Sequence, residues 1–216
     1  MLKRTISVMR RLREGLEARL VVVDDASTDA TGDIARSLGA IVLSHEENRG
    51  YGASVRTFLA HALQSGADIV VLMDADGQHP PEEMPKLLGP ILHDEADVVI
   101  GSRLLQRHID WVPSLKKAGM LFYSLTASVL MRRRITDVRS GFRAMNRRAV
   151  ELVASVYPDD YPAVGVTIYM GLRIMEVPVG MRPRRTGSSY IRGGALLSYH
   201  VKVFKYIIRA LAGRLP

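Results

Sequence analysis

The chain contains no cysteine. Disulfides, thiolate metal sites and cysteine nucleophiles are therefore excluded, and the absence fits a reducing compartment. No uninterrupted apolar run approaches the roughly 20 residues that a membrane-spanning helix needs. The opening Met1-Leu2-Lys3-Arg4 has no apolar stretch behind it, so it does not read as a signal peptide. Internal repeats and low-complexity tracts are missing. So are the Gly-x-Ser-x-Gly nucleophile elbow and the Gly-Lys-Ser/Thr ending of a Walker phosphate loop. The six histidines lack metal-ligand spacing and read as structural or surface residues, with only His79 near a candidate site. Acidic residues are absent from Val177 to Pro216, where Arg182, Arg184, Arg185, Arg192, Lys202, Lys205, Arg209 and Arg214 are cationic.

What remains is a globular composition, 47% hydrophobic and 24% charged over 216 residues. That length suits one domain with a sizeable core, or one domain with an appendage. The formal net charge of +8 implies anionic partners, and the cationic excess sits at the C-terminus. A helix is expected over Leu196–Leu211, with Leu197, Val201, Phe204, Ile208 and Leu211 on one face and Lys202, Lys205 and Arg209 on another. Such a helix reads as a membrane-surface element. With that apolar stripe and no recognition motif, nucleic acid is not an expected partner. The expected location is the cytoplasm, peripheral at the cytoplasmic face of a membrane.

Earlier in the chain, apolar runs of strand length alternate with helical periodicity. Strands are expected at Arg19–Val23, Ala40–Leu43, Asp68–Met73 and Asp97–Ile100. Helices are expected at Thr5–Ala18, Ala30–Leu38, Gly50–Gln64 and from Pro80, whose prolines suit a first turn. Further on, Leu115–Met131 reads as helix, and Val138–Ala144 and Arg173–Val179 as strands. The alternation predicts an α/β, Rossmann-like, doubly wound and mostly parallel sheet. Ligands in such sheets bind beyond the carboxyl ends of the strands. Three polar clusters fall there: Asp24-Asp25, Asp74-Ala75-Asp76 and Gly101-Ser102-Arg103.

Asp74 and Asp76 stand where a strand breaks into a turn, so both can face one cation. Hard carboxylate oxygens suit Mg2+ or Mn2+, which keep open positions for diphosphate oxygens; Gln78 adds a carbonyl or a water contact. An ordinary Asp/Gly turn is the plainer alternative. Asp24 and Asp25 suit ribose hydroxyls or a base N–H, while Ser27 or Asp29 suits a helix cap. The glycine-rich Asn48-Arg49-Gly50-Tyr51-Gly52 offers backbone N–H groups to an anion, or is a plain turn. Arg103 and the basic, hydroxyl-rich segment Arg184, Arg185, Thr186, Gly187, Ser188 and Ser189 suit phosphate, although solvated surface charge is the usual role of such residues.

Val21-Val22-Val23-Asp24-Asp25-Ala26-Ser27-Thr28-Asp29, Glu47–Gly52, Asp74-Ala75-Asp76-Gly77-Gln78-His79-Pro80, Gly101-Ser102-Arg103, Ser140-Gly141-Phe142-Arg143 and Glu176-Val177-Pro178 occur in one order. Together they resemble family 2 glycosyltransferases, in particular the dolichyl- or polyprenyl-phosphate sugar transferases, over roughly residues 19 to 210. The resemblance implies a GT-A fold and inverting transfer of mannose or glucose from GDP-mannose or UDP-glucose to a polyprenyl or dolichyl phosphate. It implies Asp74, Asp76 and Gln78 around the metal and Asp24 and Asp25 at the nucleoside. Arg184, Arg185 and Ser188 are implied at the donor phosphates, and Arg103 at the acceptor phosphate. Lys116 and Lys117 stand where relatives carry an arginine-rich acceptor segment. A lipid phosphate is anionic at neutral pH and attacks without a general base, whereas a sugar hydroxyl needs one. Hydroxyl-using relatives place an acid near Tyr161-Pro162-Ala163, where this chain has Ala163, with Asp159 and Asp160 just upstream.

The family's opening strand, ending in Pro-x-Tyr/Phe-Asn-Glu, has no counterpart, and the chain begins in the helix that should follow. The expected division is a catalytic domain over residues 1–190 and the basic amphipathic helix over 191–216. A sugar or protein hydroxyl acceptor, and a non-catalytic nucleotide- or membrane-binding relic, are the alternative readings.

Overall fold

The computed structural model describes residues 1–12, 16–106, 121, 124–125, 128–129, 133–137, 140–157, 171–180 and 182. They fall into two compact units. Unit 1 holds the described residues up to Ala67, with Tyr157; unit 2 holds those from Asp68 to Val156 and from 171 to 182. The expected boundary near residue 190 and the C-terminal helix lie outside the described residues.

Unit 1 opens with α1 (Leu2–Leu12), which ends short of the expected Ala18. Its buried positions are Thr5 and Val8, so the covered stripe is rotated by one residue from the Ile6–Met9 line. A β-α-β unit follows: β1 (Val21–Asp24), α2 (Thr31–Ser37) and β2 (Ile41–Ser44). The two strands pair in parallel, Val21 with Ile41 through Asp24 with Ser44. Asp29 Oδ1 accepts the Thr31 N–H at 3.0 Å, but the N-cap position of α2 is Ala30, which makes no side-chain cap bond, so neither Ser27 nor Asp29 is the N-cap. Next, α3 (Gly50–Gln64) buries Ala53, Val55, Leu59 and Ala62 and packs on β1. Its bounds match the expected ones.

Unit 2 contains β3 (Ile69–Leu72), a 3-10 turn (Pro81–Glu83), α4 (Met84–Leu92), β4 (Val98–Ser102), β5 (Arg143–Asn146), α5 (Arg147–Val156) and β6 (Ile174–Pro178). The strand order is β3-β5-β4-β6. β5 runs antiparallel to both β3 and β4, and β4 pairs in parallel with β6. Three strands therefore share one direction, and β5 opposes them. The carboxyl ends of β3, β4 and β6 and the start of β5 consequently lie on one edge. β4 is buried along its whole length, as expected of a central strand covered on both faces. The core gathers Leu87, Val98, Val99, Ile100, Phe142, Met145 and Val150.

No element was expected at α5, although its apolar residues fall on one helical face. Its start is local chemistry: Asn146 Oδ1 accepts the Ala149 N–H at 2.9 Å, and Ala149, Val150 and Val153 turn inward. Asn146 also donates to Asp97 Oδ1 at 2.9 Å. Asp97, 1% exposed just before β4, further accepts the Arg173 backbone N–H at 2.8 Å. This knot ties the starts of β4, α5 and β6 at the edge opposite the polar clusters.

Candidate active site

In unit 1, the polar cluster follows β1. Asp24 Oδ1 accepts the Ser27 N–H at 3.1 Å. A Cβ added to Gly32 would stand 2.6 Å from Asp24 Oδ2, so a glycine in α2 leaves room for that carboxylate. Asp25 is bound within the protein. Its Oδ1 accepts the Arg49 N–H at 2.9 Å and lies 2.6 Å from His45 Nδ1; its Oδ2 accepts the Gly50 N–H at 2.8 Å. His45 Nε2 continues to Thr57 Oγ1 at 2.8 Å. Burial opposes ionisation of Asp25, but the bonds from His45, Arg49 and Gly50 outweigh it and hold the carboxyl below its ordinary range. The amides at the start of α3 thus do meet an anion, and that anion is Asp25.

In unit 2, the edge formed by the ends of β3 and β4 collects the other clusters. Asp74 and Asp76, both half-buried, lie in the turn after β3. Gly77 has φ of +79°, a conformation that glycine adopts without steric penalty. Asp76 Oδ1 accepts the Gln78 N–H at 2.9 Å. Gln78 and Arg182 exchange bonds: the Arg182 N–H donates to the Gln78 carbonyl at 2.9 Å, and Gln78 Nε2 donates to the Arg182 carbonyl at 3.4 Å. His79 is 2% exposed. Its Nδ1 accepts the Asp74 N–H at 3.1 Å, which assigns the ring proton to Nε2. Burial, offset in part by Asp74, pushes its pKa down, consistent with a neutral ring. His79 stacks on buried Phe142 with centroids 5.2 Å apart. Histidine spacing carried no sign of this role.

Arg103 follows β4. Its Nε and Nη2 reach Asp137 Oδ2 and Oδ1 at 2.6 and 2.7 Å, a bidentate pair, and its backbone N–H adds a bond to Oδ2 at 3.0 Å. Asp137 is held in turn by β6. Glu176 accepts the Thr136 N–H and the Asp137 N–H, both at 2.7 Å, and the Thr136 hydroxyl at 3.0 Å. Glu176 of the Glu-Val-Pro motif thus fixes the carboxylate that fixes Arg103. Sequence reasoning placed Arg103 at a strand end but found neither partner, because both come from distant segments. Lys116, Lys117, Arg184, Arg185, Ser188 and the stretch around Tyr161–Ala163 lie outside the described residues.

The α/β fold is that of the GT-A glycosyltransferases. Solved relatives agree: glucosyl-3-phosphoglycerate synthase from Mycobacterium tuberculosis, crystallised with Mn2+, uridine-diphosphate-glucose and phosphoglyceric acid, superposes with a TM-score of 0.64. That pair shares 22% identity, and the match covers 100% of this chain and 75% of the other. The family model described as glycosyl transferase family 2 matches residues 1–153, and the chain belongs to that family. It is similar to the undecaprenyl-phosphate mannosyltransferase of Micrococcus luteus, with 34% identity over 93% of this chain and 87% of the relative. It is also similar to the UDP-N-acetylglucosamine–dolichyl-phosphate N-acetylglucosaminyltransferase of Methanococcus voltae, with 31% identity over 80% and 78% of the two chains. The protein is therefore a glycosyltransferase.

Proposed function

We propose that this enzyme moves a hexose, mannose or glucose, from a nucleotide sugar such as GDP-mannose or UDP-glucose to a polyprenyl or dolichyl phosphate, with inversion. The observation that carries the proposal is the Asp74–Asp76 pair at the end of β3, on the same sheet edge as Arg103 after β4. The two relatives named above carry lipid-phosphate acceptors in their names.

The residues fit a divalent cation, Mg2+ or Mn2+. Two carboxylates supply hard oxygen ligands and leave positions for diphosphate oxygens. The backbone of Gly141 comes against Asp74 where a Cβ would fill the space, which leaves that carboxylate its room. Asp74, Asp76 and the side-chain oxygen of Gln78 would hold the ion. When bound, it supplies charge neutralisation for the departing diphosphate.

The chain's own groups do the rest. Asp24 contacts the nucleoside; Asp25 beside it accepts the amides at the start of α3 and so holds the turn after β1. Arg103, oriented by Asp137, draws the acceptor phosphate to the sheet edge. Arg184, Arg185 and Ser188 complete the donor phosphate contacts, and Lys116 and Lys117 those of the acceptor. A phosphate oxygen attacks the anomeric carbon, the bond from that carbon to the diphosphate breaks, and no proton transfer is needed. Preorganised positive charge then carries most of the rate.

Peripheral attachment to a membrane surface is part of the proposal. No helix among the described residues is long and apolar enough to cross a membrane. Leu121, Leu125 and Val129, at helical i, i+4, i+8 spacing, are each more than half exposed, and exposed Arg133 and Arg134 follow them. An apolar stripe beside cations suits an anionic lipid surface.

The test is incubation of the full chain with labelled nucleotide sugars, Mn2+ and polyprenyl phosphate. Labelled lipid is expected, lost with a chelator and lowered on the order of a thousandfold in Asp76→Ala. Product formed only on a hydroxyl acceptor would overturn the proposal.

A further inference from the structure

The register between β3 and β5 pairs Leu72 with Arg143. Continued two residues past the ladder, it sets Asp74 opposite Gly141. The approach there is unusually close. A Cβ built on Gly141 would lie 2.7 Å from Asp74 Oδ1 and 2.8 Å from its Cγ, and it would meet Oδ2 as well. The glycine is not required by the backbone, because Gly141 is not among the positive-φ residues. It is required by the space that the Asp74 carboxylate occupies. Phe142, the next residue, is fully buried. It carries the stacked His79, whose Nδ1 accepts the Asp74 N–H. The Phe142 carbonyl accepts the Gly101 N–H at 2.9 Å, and the Ser140 hydroxyl accepts the Phe142 N–H at 3.2 Å, so the segment is anchored independently of Asp74.

We propose that Gly141 and Phe142, at the entry to β5, are positioning residues for Asp74: Gly141 sets where its carboxylate lies, and Phe142, through His79, sets its backbone. The proposal rests on the reading of Asp74 as a ligand of the divalent ion. It assigns a task to two residues that bind neither ion nor sugar. Replacing a residue that orients a metal ligand typically costs about 10–100-fold in metal affinity.

The test is Mn2+ binding to the full chain with nucleoside diphosphate present, followed by calorimetry and by the electron paramagnetic resonance of free Mn2+, well below the melting temperature. Gly141→Ala is expected to weaken Mn2+ about tenfold or more. Gly89→Ala in α4, where a Cβ meets nothing within 4 Å, is expected to leave it unchanged. His79→Leu removes the acceptor for the Asp74 N–H and is expected to weaken Mn2+ as well. His79→Asn, whose side-chain oxygen can take the place of Nδ1, is expected to recover part of the affinity. Folded Gly141→Ala with Mn2+ affinity within twofold of the parent would overturn the proposal. Should Gly141→Ala fail to fold, the histidine pair decides, and equal affinities for His79→Leu and His79→Asn would overturn it. Asp74→Ala separates the two readings. If it leaves Mn2+ binding intact, the metal site itself is misassigned. If it abolishes binding while Gly141→Ala does not weaken it, only the positioning role fails.

Discussion

At the scale of the residue, the molecule uses carboxylates in two ways. Asp25 and Asp97 are bound on several sides by protein donors and hold the fold. Asp74 and Asp76 stand in a turn at a sheet edge, where two oxygens in one place suit a cation. Asp97 gives the cleanest measurable consequence. Burial opposes its ionisation, but the side-chain and backbone bonds from Arg173, then the Asn146 bond, prevail and bring its pKa from 3.8 to about 2. A carboxyl whose folded value lies below its unfolded value adds stability above the unfolded pKa and loses it as pH falls through the folded one. Arg173 is half-exposed, which moderates the contribution through solvent screening. Asp97→Asn is expected to lower unfolding free energy by about 1–2 kcal/mol above pH 4. That difference should shrink as pH falls from about 4 to about 2. Urea unfolding across that range measures it, and a pH-independent difference would contradict it.

Elements matter here through their ends. β6 contributes more than a parallel partner for β4, because Glu176 holds the backbone amides that carry Asp137, and Asp137 grips Arg103. Glu176→Gln keeps one acceptor oxygen but turns an amide nitrogen toward backbone N–H groups. The expected loss is about 2 kcal/mol of stability, the range for hydrogen bonds to a charged group. With Arg103 less constrained, KM for the proposed polyprenyl phosphate acceptor is expected to rise more than kcat falls. Initial rates against acceptor concentration separate the two, and a pure kcat effect would argue against the relay. The ends were also where sequence and structure parted. α3 could be read to its exact bounds, since a glycine-rich opening and a long run free of proline both mark it. α5 was not among the expected elements, although Asn146 is an ordinary cap residue and Ala149, Val150 and Val153 share one face. β5 begins at Arg143 and runs antiparallel, and direction within a sheet leaves no trace in a strand of four residues.

For the whole molecule, the proposed contact with an anionic lipid surface rests on the cationic balance and on the exposed Leu121–Leu125–Val129 stripe. Replacing those three residues together with aspartate is expected to reduce sedimentation with anionic vesicles at least severalfold. Transfer to a short, water-soluble polyprenyl phosphate should persist. Binding of the parent should also fall with added salt, as screening weakens the cationic contribution. Vesicle binding unchanged by the triple substitution would remove this stripe from the membrane contact.

By itself, the sequence determined the α/β class, the family and the chemical types at the strand ends. These depend on local patterns: apolar runs of strand length, an Asp-x-Asp turn and motifs in a fixed order. Only the tertiary structure decided what each of those groups touches. Asp25 and Asp74 both follow strands as acidic residues at a polar turn, yet one is bound by the amides at the start of α3 and the other is bordered by Gly141, just before β5. Glu176 and Arg103 lie far apart in sequence and are joined through Asp137 because β4 and β6 are neighbours. Side-chain partners arise from sheet register and order, and those are properties of the assembled chain.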